Sequence, residues 1–203
     1  MKIHVIGDGA FGTFLKELLV PVFEIDEGAD SLILAVPISA YDSVAAENRG
    51  RHLINVCSVQ KPSTDTLLKY TSSVTSLHPL FGRRTPSDKR NSIVTRKFSD
   101  ENNALPFTDN ERAFLTEFSK ISKLATIDPN GAEFTPDSHD RLMAKTHVAA
   151  VLAAKQMKVF VDRAEDIPDE YIPNSFRLMR DFVKTLDDMP PGTIESIMAN
   201  PYY

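Results

Sequence analysis

The chain of 203 residues holds a single cysteine, Cys57, so no disulfide can form within it, which fits a reducing cytosol. No apolar run approaches the length needed to cross a bilayer, and no membrane association is expected. Positive charge is in deficit, with 23 Lys and Arg against 28 Asp and Glu. That balance argues against a general nucleic-acid surface. It also means that an anionic ligand must be met by local arginines, lysines or helix ends. Residues 1–20 do not read as a secretory leader, because Gly7-Asp8-Gly9 interrupts the apolar stretch. There is no repeat and no low-complexity tract, and no metal site is expected. A cytoplasmic location is the expectation.

Hydrophobic content of 42% and charged content of 25% are those of an ordinary globular protein. The most informative stretch is Ile3 to Gly12, a short apolar run leading directly into G-x-G-x-x-G. Gly7 allows a tight turn out of a strand. Gly9 lets backbone N–H groups approach a pyrophosphate, and Gly12 lets the next helix pack closely. The N-terminus of that helix, at Ala10 and Phe11, offers free N–H groups and the positive end of its dipole. A tight turn that binds nothing is the bland alternative.

Strands and helices alternate through the first part. Strands are expected at Lys2–Ile6, Val22–Ile25, Ser31–Val36, His52–Cys57, Val74–Leu77, Asn91–Thr95 and Lys123–Ile127. Helices are expected at Ala10–Val20, Tyr41–Glu47, Pro62–Tyr70 and from Thr108 to about Ile121. Thr108 reads as an N-cap with Glu111 as its capping-box partner. Arg83–Arg90 and Ser99–Phe107 read as polar connections. Beyond Thr135 only helical patterns appear, at Pro136–Val161, Ile172–Leu186 and Gly192–Met198. The expected class is therefore α/β: a Rossmann-like, mainly parallel sheet over residues 1–130, followed by a small all-helical domain over 131–203. Ligands of such sheets bind outside the carboxyl ends of the strands. Ser58, His78 and the glycine turn all fall just past strand ends.

Four stretches together resemble the prephenate dehydrogenases and their arogenate-using relatives. They are Gly7-Asp8-Gly9-Ala10-Phe11-Gly12, Leu34-Ala35-Val36-Pro37-Ile38, Cys57-Ser58-Val59-Gln60-Lys61 and Leu77-His78-Pro79-Leu80-Phe81-Gly82. Ser138-His139-Asp140-Arg141-Leu142-Met143-Ala144 and Phe176-Arg177-Leu178 add weaker matches. The resemblance implies an NAD(P)-dependent oxidative decarboxylation of a cyclohexadienyl acid on the way to tyrosine. It implies His78 as the acceptor of the substrate hydroxyl proton and Ser58 as its helper. Arg177 is implied as a bidentate clamp for a substrate carboxylate, with Arg180 one turn on as a substitute. His147, two helical turns beyond His139, is a further candidate for the substrate site. Val36 and Pro37 join Gly7, Gly9, Ala10, Phe11 and Gly12 as expected cofactor contacts. His139 and Asp140 read as a structural pair that holds the long helix to the sheet. Lys61 could meet an anion, although the family usually has lysine where this chain has Gln60.

Two departures stand out. An acidic residue should end strand two about 20 residues past the first glycine, to hold the ribose hydroxyls. Asp26 has that spacing and favours NAD over NADP, although Arg83, Arg84 and Lys89 could reach a phosphate. The layout around Asp26 is compressed, however, with no room for a crossover helix before the next strand. Either Asp26 still meets the ribose, or the cofactor is held weakly or not at all. The helical half is also short and would expose apolar surface alone, so a homodimer is expected. Two other readings stay open. One is a dehydrogenase of another hydroxyacid. The other is a non-catalytic binding or regulatory relative with a reduced nucleotide site.

Overall fold

In the computed structural model, which describes residues 1–100 and 103–203, the apolar runs of the first part become strands of one sheet. The side chains of Ser99, Asp100 and Asn103 are outside the description. In chain order the elements are β1 (Lys2–Ile6), α1 (Ala10–Leu19), β2 (Glu24–Ile25), β3 (Ser31–Leu34), α2 (Tyr41–Glu47), β4 (His52–Asn55), α3 (Lys61–Leu68) and β5 (Val74–Pro79). Then come β6 (Asn91–Thr95), the hairpin β7 (Phe98–Asp100) and β8 (Asn103–Ala104), α4 (Asp109–Phe118) and β9 (Lys123–Ala125). The rest is helical: α5 (Pro136–Met143), a π-helical turn (Ala144–Val148), α6 (Ala149–Asp162), α7 (Asn174–Asp187) and α8 (Pro191–Met198).

The seven-stranded sheet has the order β2-β1-β3-β4-β5-β6-β9. The first five run parallel, whereas β6 is antiparallel to β5 and β9 runs parallel to β6. β3 and β4 are buried at every position because helices cover both faces, and their sequences, Ser-Leu-Ile-Leu and His-Leu-Ile-Asn, do not alternate apolar with polar. Ile33, Ile54 and Leu77 point to one face and pack with Phe14, Leu15 and Leu19 of α1 and with Phe114 and Phe118 of α4. Leu32, Leu34, Leu53 and Val74 point to the other and pack with Tyr41 and Ala45 of α2 and Leu67 of α3. The Thr108–Glu111 capping box starts α4: each residue's side chain accepts from the other's backbone N–H. This is the expected Rossmann-like α/β architecture.

Three local differences matter. β2 has only two residues and pairs with Lys2 and Ile3, at the beginning of β1 rather than along it. The chain then reaches β3 through Asp26–Asp30 without a helix. The polar connection expected over 99–107 carries the β7–β8 hairpin, although residues 101 and 102 lie outside the described ones.

The chain divides into two compact units, Met1–Arg141 and Leu142–Tyr203. The division falls later than the expected boundary after residue 130, because α5 begins against the first unit through His139 and Asp140. The second unit has its own apolar core of Val148, Val151, Ala154, Leu186 and Ile197.

Candidate active site

The sheet register places the chemistry. Ile6 is opposite Leu34, Leu34 opposite Asn55, and Asn55 opposite Ser76. One residue further on comes Gly7, and two further on comes His78, so both lie on the carboxyl rim of the sheet. Three strand spacings separate β1 from β5, which is about 14 Å along that rim.

At the β1 end, the glycine bend is tightly built. Gly7 has φ of +125°, and a Cβ there would come within 2.3 Å of the Ala35 carbonyl oxygen. A Cβ on Gly12 would come within 2.3 Å of the Gly7 carbonyl oxygen, so the helix can approach the strand only with glycine there. A Cβ on Gly9 would meet nothing within 4 Å. The protein itself therefore does not need glycine at position 9, whereas an incoming phosphate would. Gly9 is the N-cap of α1 and supplies no side-chain acceptor, so the first-turn N–H groups at Ala10 and Phe11 face the rim. Asp8, the anion nearest this end, is drawn to Lys16 at 2.6 Å, and that ammonium lowers its carboxyl below the usual range. Val36 and Pro37 follow β3 beside the bend, and Val36 Cγ1 would lie 3.4 Å from a Cβ on Gly7. The bend, its open Gly9 and the helix end fit a pyrophosphate.

Asp26 does not complete that site. Its backbone N–H donates to the Ile3 carbonyl at 2.9 Å, so it sits opposite His4, three residues before Gly7. That is about 10 Å short of the rim. Its carboxylate takes Lys2 Nζ at 2.7 Å and the Gly28 N–H at 2.9 Å. Lys2, then Gly28, lower its carboxyl below the usual range. The spacing of 19 residues from Gly7 was right for a ribose contact, but the shortened β2 leaves the residue too low. With it goes the sequence basis for preferring NAD. Of the cations expected to reach a phosphate, Arg83 pairs with Glu17 at 3.0 Å.

At the β5 end, His78 is 3% exposed and its Nδ1 lies 3.0 Å from Nε2 of His139. His139 Nδ1 lies 2.8 Å from Asp140 Oδ1, and both residues are fully buried. Asp140 also accepts the backbone N–H groups of Gln60 at 2.7 Å and Lys61 at 2.8 Å, at the N-terminus of α3. His139 and Asp140 hold their places because Thr135 and Ser138 cap the start of α5 reciprocally: each backbone N–H donates to the other's hydroxyl. Sequence reading singled out the pair but not its contact with His78, since sixty-one residues separate the two histidines.

Ser58 is half-buried, three residues beyond the end of β4. Beneath it, Asn55 is fully buried and binds Tyr41, Ser63, Thr64 and the Cys57 N–H. Burial pushes the Cys57 thiol up to about 11, which makes it a poor nucleophile. Lys61 carries its ammonium to Asp65 rather than toward the rim.

In the second unit, Arg177 donates to the Asp169 carbonyl at 2.7 Å and Arg180 pairs with the Asp169 carboxylate at 2.8 Å. Both guanidinium groups thus fasten the 3-10 turn Asp169–Tyr171 to α7. His147 lies in the π-helical turn, where the bonds run i to i+5.

No protein-family model matches the chain. No curated protein matches it in sequence. Solved structures do match. A candidate prephenate dehydrogenase from Corynebacterium glutamicum superposes with a TM-score of 0.66 at 14% identity, over 97% of this chain and 73% of that one. Arogenate dehydrogenase from Synechocystis gives 0.54 at 15% identity, over 98% and 84%. Pyrroline carboxylate reductase from Plasmodium falciparum, solved with NADP bound, gives 0.53 at 12% identity, over 99% and 80%. At such identities the likeness is one of fold.

Proposed function

We propose that the chain is a nicotinamide-dependent dehydrogenase acting on a small hydroxylated ring acid, with prephenate or arogenate as the leading candidates. The observation that carries this reading is His78, held on the same sheet rim as the glycine bend. Bound nicotinamide would supply the hydride acceptor. The Gly7–Gly12 bend and the first turn of α1 would hold the pyrophosphate. His78 would accept the hydroxyl proton through Nε2 as the C–O bond gains carbonyl character. Ser58 would hydrogen-bond the same hydroxyl, and Arg177, Arg180 and His147 are the candidates for the carboxylates. The structural neighbours support the choice of chemistry class, because dehydrogenases and an NADP-binding reductase share the fold. Either NAD or NADP suits the site, given where Asp26 lies. A homodimer, with Val159, Phe160 and Leu178 of the second unit exposed in the single chain, completes the proposal.

A second reading has its own support. The two-residue β2 and the engaged Asp26 favour a binding or regulatory relative that retains the cradle but not the adenosine side. One assay separates the two. Purified protein is mixed with NAD or NADP and with prephenate, arogenate or pyrroline-5-carboxylate's reduced counterpart, and the absorbance of the reduced cofactor is followed. The enzyme reading expects turnover with a cyclohexadienyl acid and its loss in His78→Asn. Thermal stabilisation by a ring acid with no reduced cofactor under any combination would establish the binding relative instead.

A further inference from the structure

We propose that Asp140 and His139 are positioning residues that hold His78 in its Nδ1–H form and so present Nε2 as the basic nitrogen. The inference rests on the dehydrogenase reading for its use, but the proton arrangement is a property of the folded chain alone.

The argument starts at the buried end. Asp140 is fully buried and accepts two backbone N–H groups, one on each oxygen. Those groups are the first donors of α3, so its carboxylate also sits at the positive end of a helix dipole. Backbone donors occupy both oxygens and leave a carboxyl proton nowhere favourable to sit. An ionised Asp140 is an acceptor only. His139 Nδ1, 2.8 Å away, must therefore be the donor. In neutral imidazole one ring nitrogen donates and the other accepts. With Nδ1 protonated, His139 Nε2 carries the lone pair. His78 Nδ1, 3.0 Å from that lone pair, must then be an N–H. The last step fixes His78 Nε2 as the nitrogen that accepts a proton.

With His78 neutral, two other arrangements fit the same heavy-atom positions. If Asp140 were protonated and donated to His139 Nδ1, every bond in the chain would reverse, and His78 would carry its proton on Nε2. It would then be a donor and not a base. If His139 were an imidazolium, its Nε2–H would donate to His78 Nδ1 and give the same unproductive form. The two backbone donors on Asp140 disfavour the first. The second places a second proton on a fully buried ring beside a histidine that can itself supply the bond. The chain of bonds running from α3 through α5 to β5 thus selects one form of His78.

The same chain gives the developing charge somewhere to go. When His78 Nε2 takes the hydroxyl proton, His78 becomes an imidazolium. Its Nδ1 proton can pass to His139 Nε2, which leaves His78 neutral and His139 cationic against the Asp140 carboxylate. One proton enters at Nε2 and one moves between rings; a bound nicotinamide would supply the acceptor for the hydride. This differs from a role in which the pair merely fastens α5, because a fastening role is indifferent to which nitrogen of His78 is protonated.

The test reads the ring nitrogens directly. Protein labelled with nitrogen-15 at its five histidines is studied by two-bond nitrogen–proton correlation near neutral pH, with His78→Gln and His139→Gln used for assignment. The expected result is Nδ1–H at both His78 and His139, with the other tautomer at least about tenfold less populated, as a charge-assisted hydrogen bond requires. His139→Phe removes this acceptor and should raise the share of the Nε2–H form at His78. His139→Gln keeps a carbonyl oxygen within reach and should retain Nδ1–H. Circular dichroism checks that each variant is folded, so a mere loss of structure is recognised. An Nε2–H form of His78 in the unsubstituted protein would overturn the proposal, as would a His78 pattern unchanged in folded His139→Phe. None of these readings requires turnover. If the tautomers are as stated and no cofactor is reduced, the dehydrogenase reading fails while the positioning chain stands.

Discussion

A methyl group on Gly12 would come within 2.3 Å of the Gly7 carbonyl oxygen, so strand and helix meet there backbone to backbone. Gly12→Ala should therefore destabilise the protein by about 1–3 kcal/mol, because neither backbone can move aside without unpairing β1. Gly9→Ala meets open space and should cost less than about 1 kcal/mol, the N-cap preference alone. The same Gly9 change should lower dinucleotide affinity at least about tenfold if phosphate approaches that backbone. Thermal melts paired with calorimetric titration of NAD and NADP separate the two effects.

Asp26 should have little influence on which nicotinamide dinucleotide binds. NAD and NADP are expected to bind within about tenfold of each other, and Asp26→Ala to change either affinity by less than about threefold. A strong NAD preference abolished by that substitution would place the carboxylate at the ribose after all, and would mean that β2 extends when ligand arrives.

His52 imposes a pH dependence on stability. Burial, and secondarily Lys97, push its imidazole down to about 4, while Ser31 and Thr75 bond its two nitrogens. Between that value and 6.5, the unfolded chain binds a proton that the folded chain refuses. Stability from this residue is therefore complete above the unfolded value and falls as pH is lowered toward 4. The loss should reach about 3 kcal/mol. Urea unfolding across that range should show the slope, and a folded His52→Gln should flatten it.

Lys97 and Glu111 pair inside the protein, with side chains 3% and 0% exposed. The ammonium also donates to the Ser72 carbonyl at 2.8 Å, and the carboxylate closes the cap of α4. Lys97→Ala would strand a buried carboxylate and should cost about 3–5 kcal/mol. Lys97→Met combined with Glu111→Leu should recover most of it, less the lost cap. Denaturant midpoints for the single and double variants decide.

Much of the sheet was readable because β3 and β4 carry apolar residues on both faces, as a doubly covered parallel strand does, while β1 leads directly into the glycine turn. Thr108 and Glu111 announced α4 by their spacing, which is a local rule. The site was readable in part. Glycines at 7 and 12 are dictated by contacts that a motif encodes, and His78 and Ser58 sit where strands end. What sequence could not convey was register and long-range pairing. Asp26 has the right separation from Gly7 along the chain but the wrong height in the sheet, since nothing local tells how far β2 runs beside β1. The bond between His78 and His139 joins residues from β5 and α5, and the π-helical turn at His147 has no compositional signature.

The seclusion of Cys57, with its 8% exposure and a thiol pushed up to about 11, makes the native protein almost blank to maleimides and similar reagents. A cysteine introduced at an exposed position such as Ala10 would then be the one site where a fluorophore or spin label attaches. The glycine bend could be watched by that probe as nucleotide arrives, without first removing the natural sulfur.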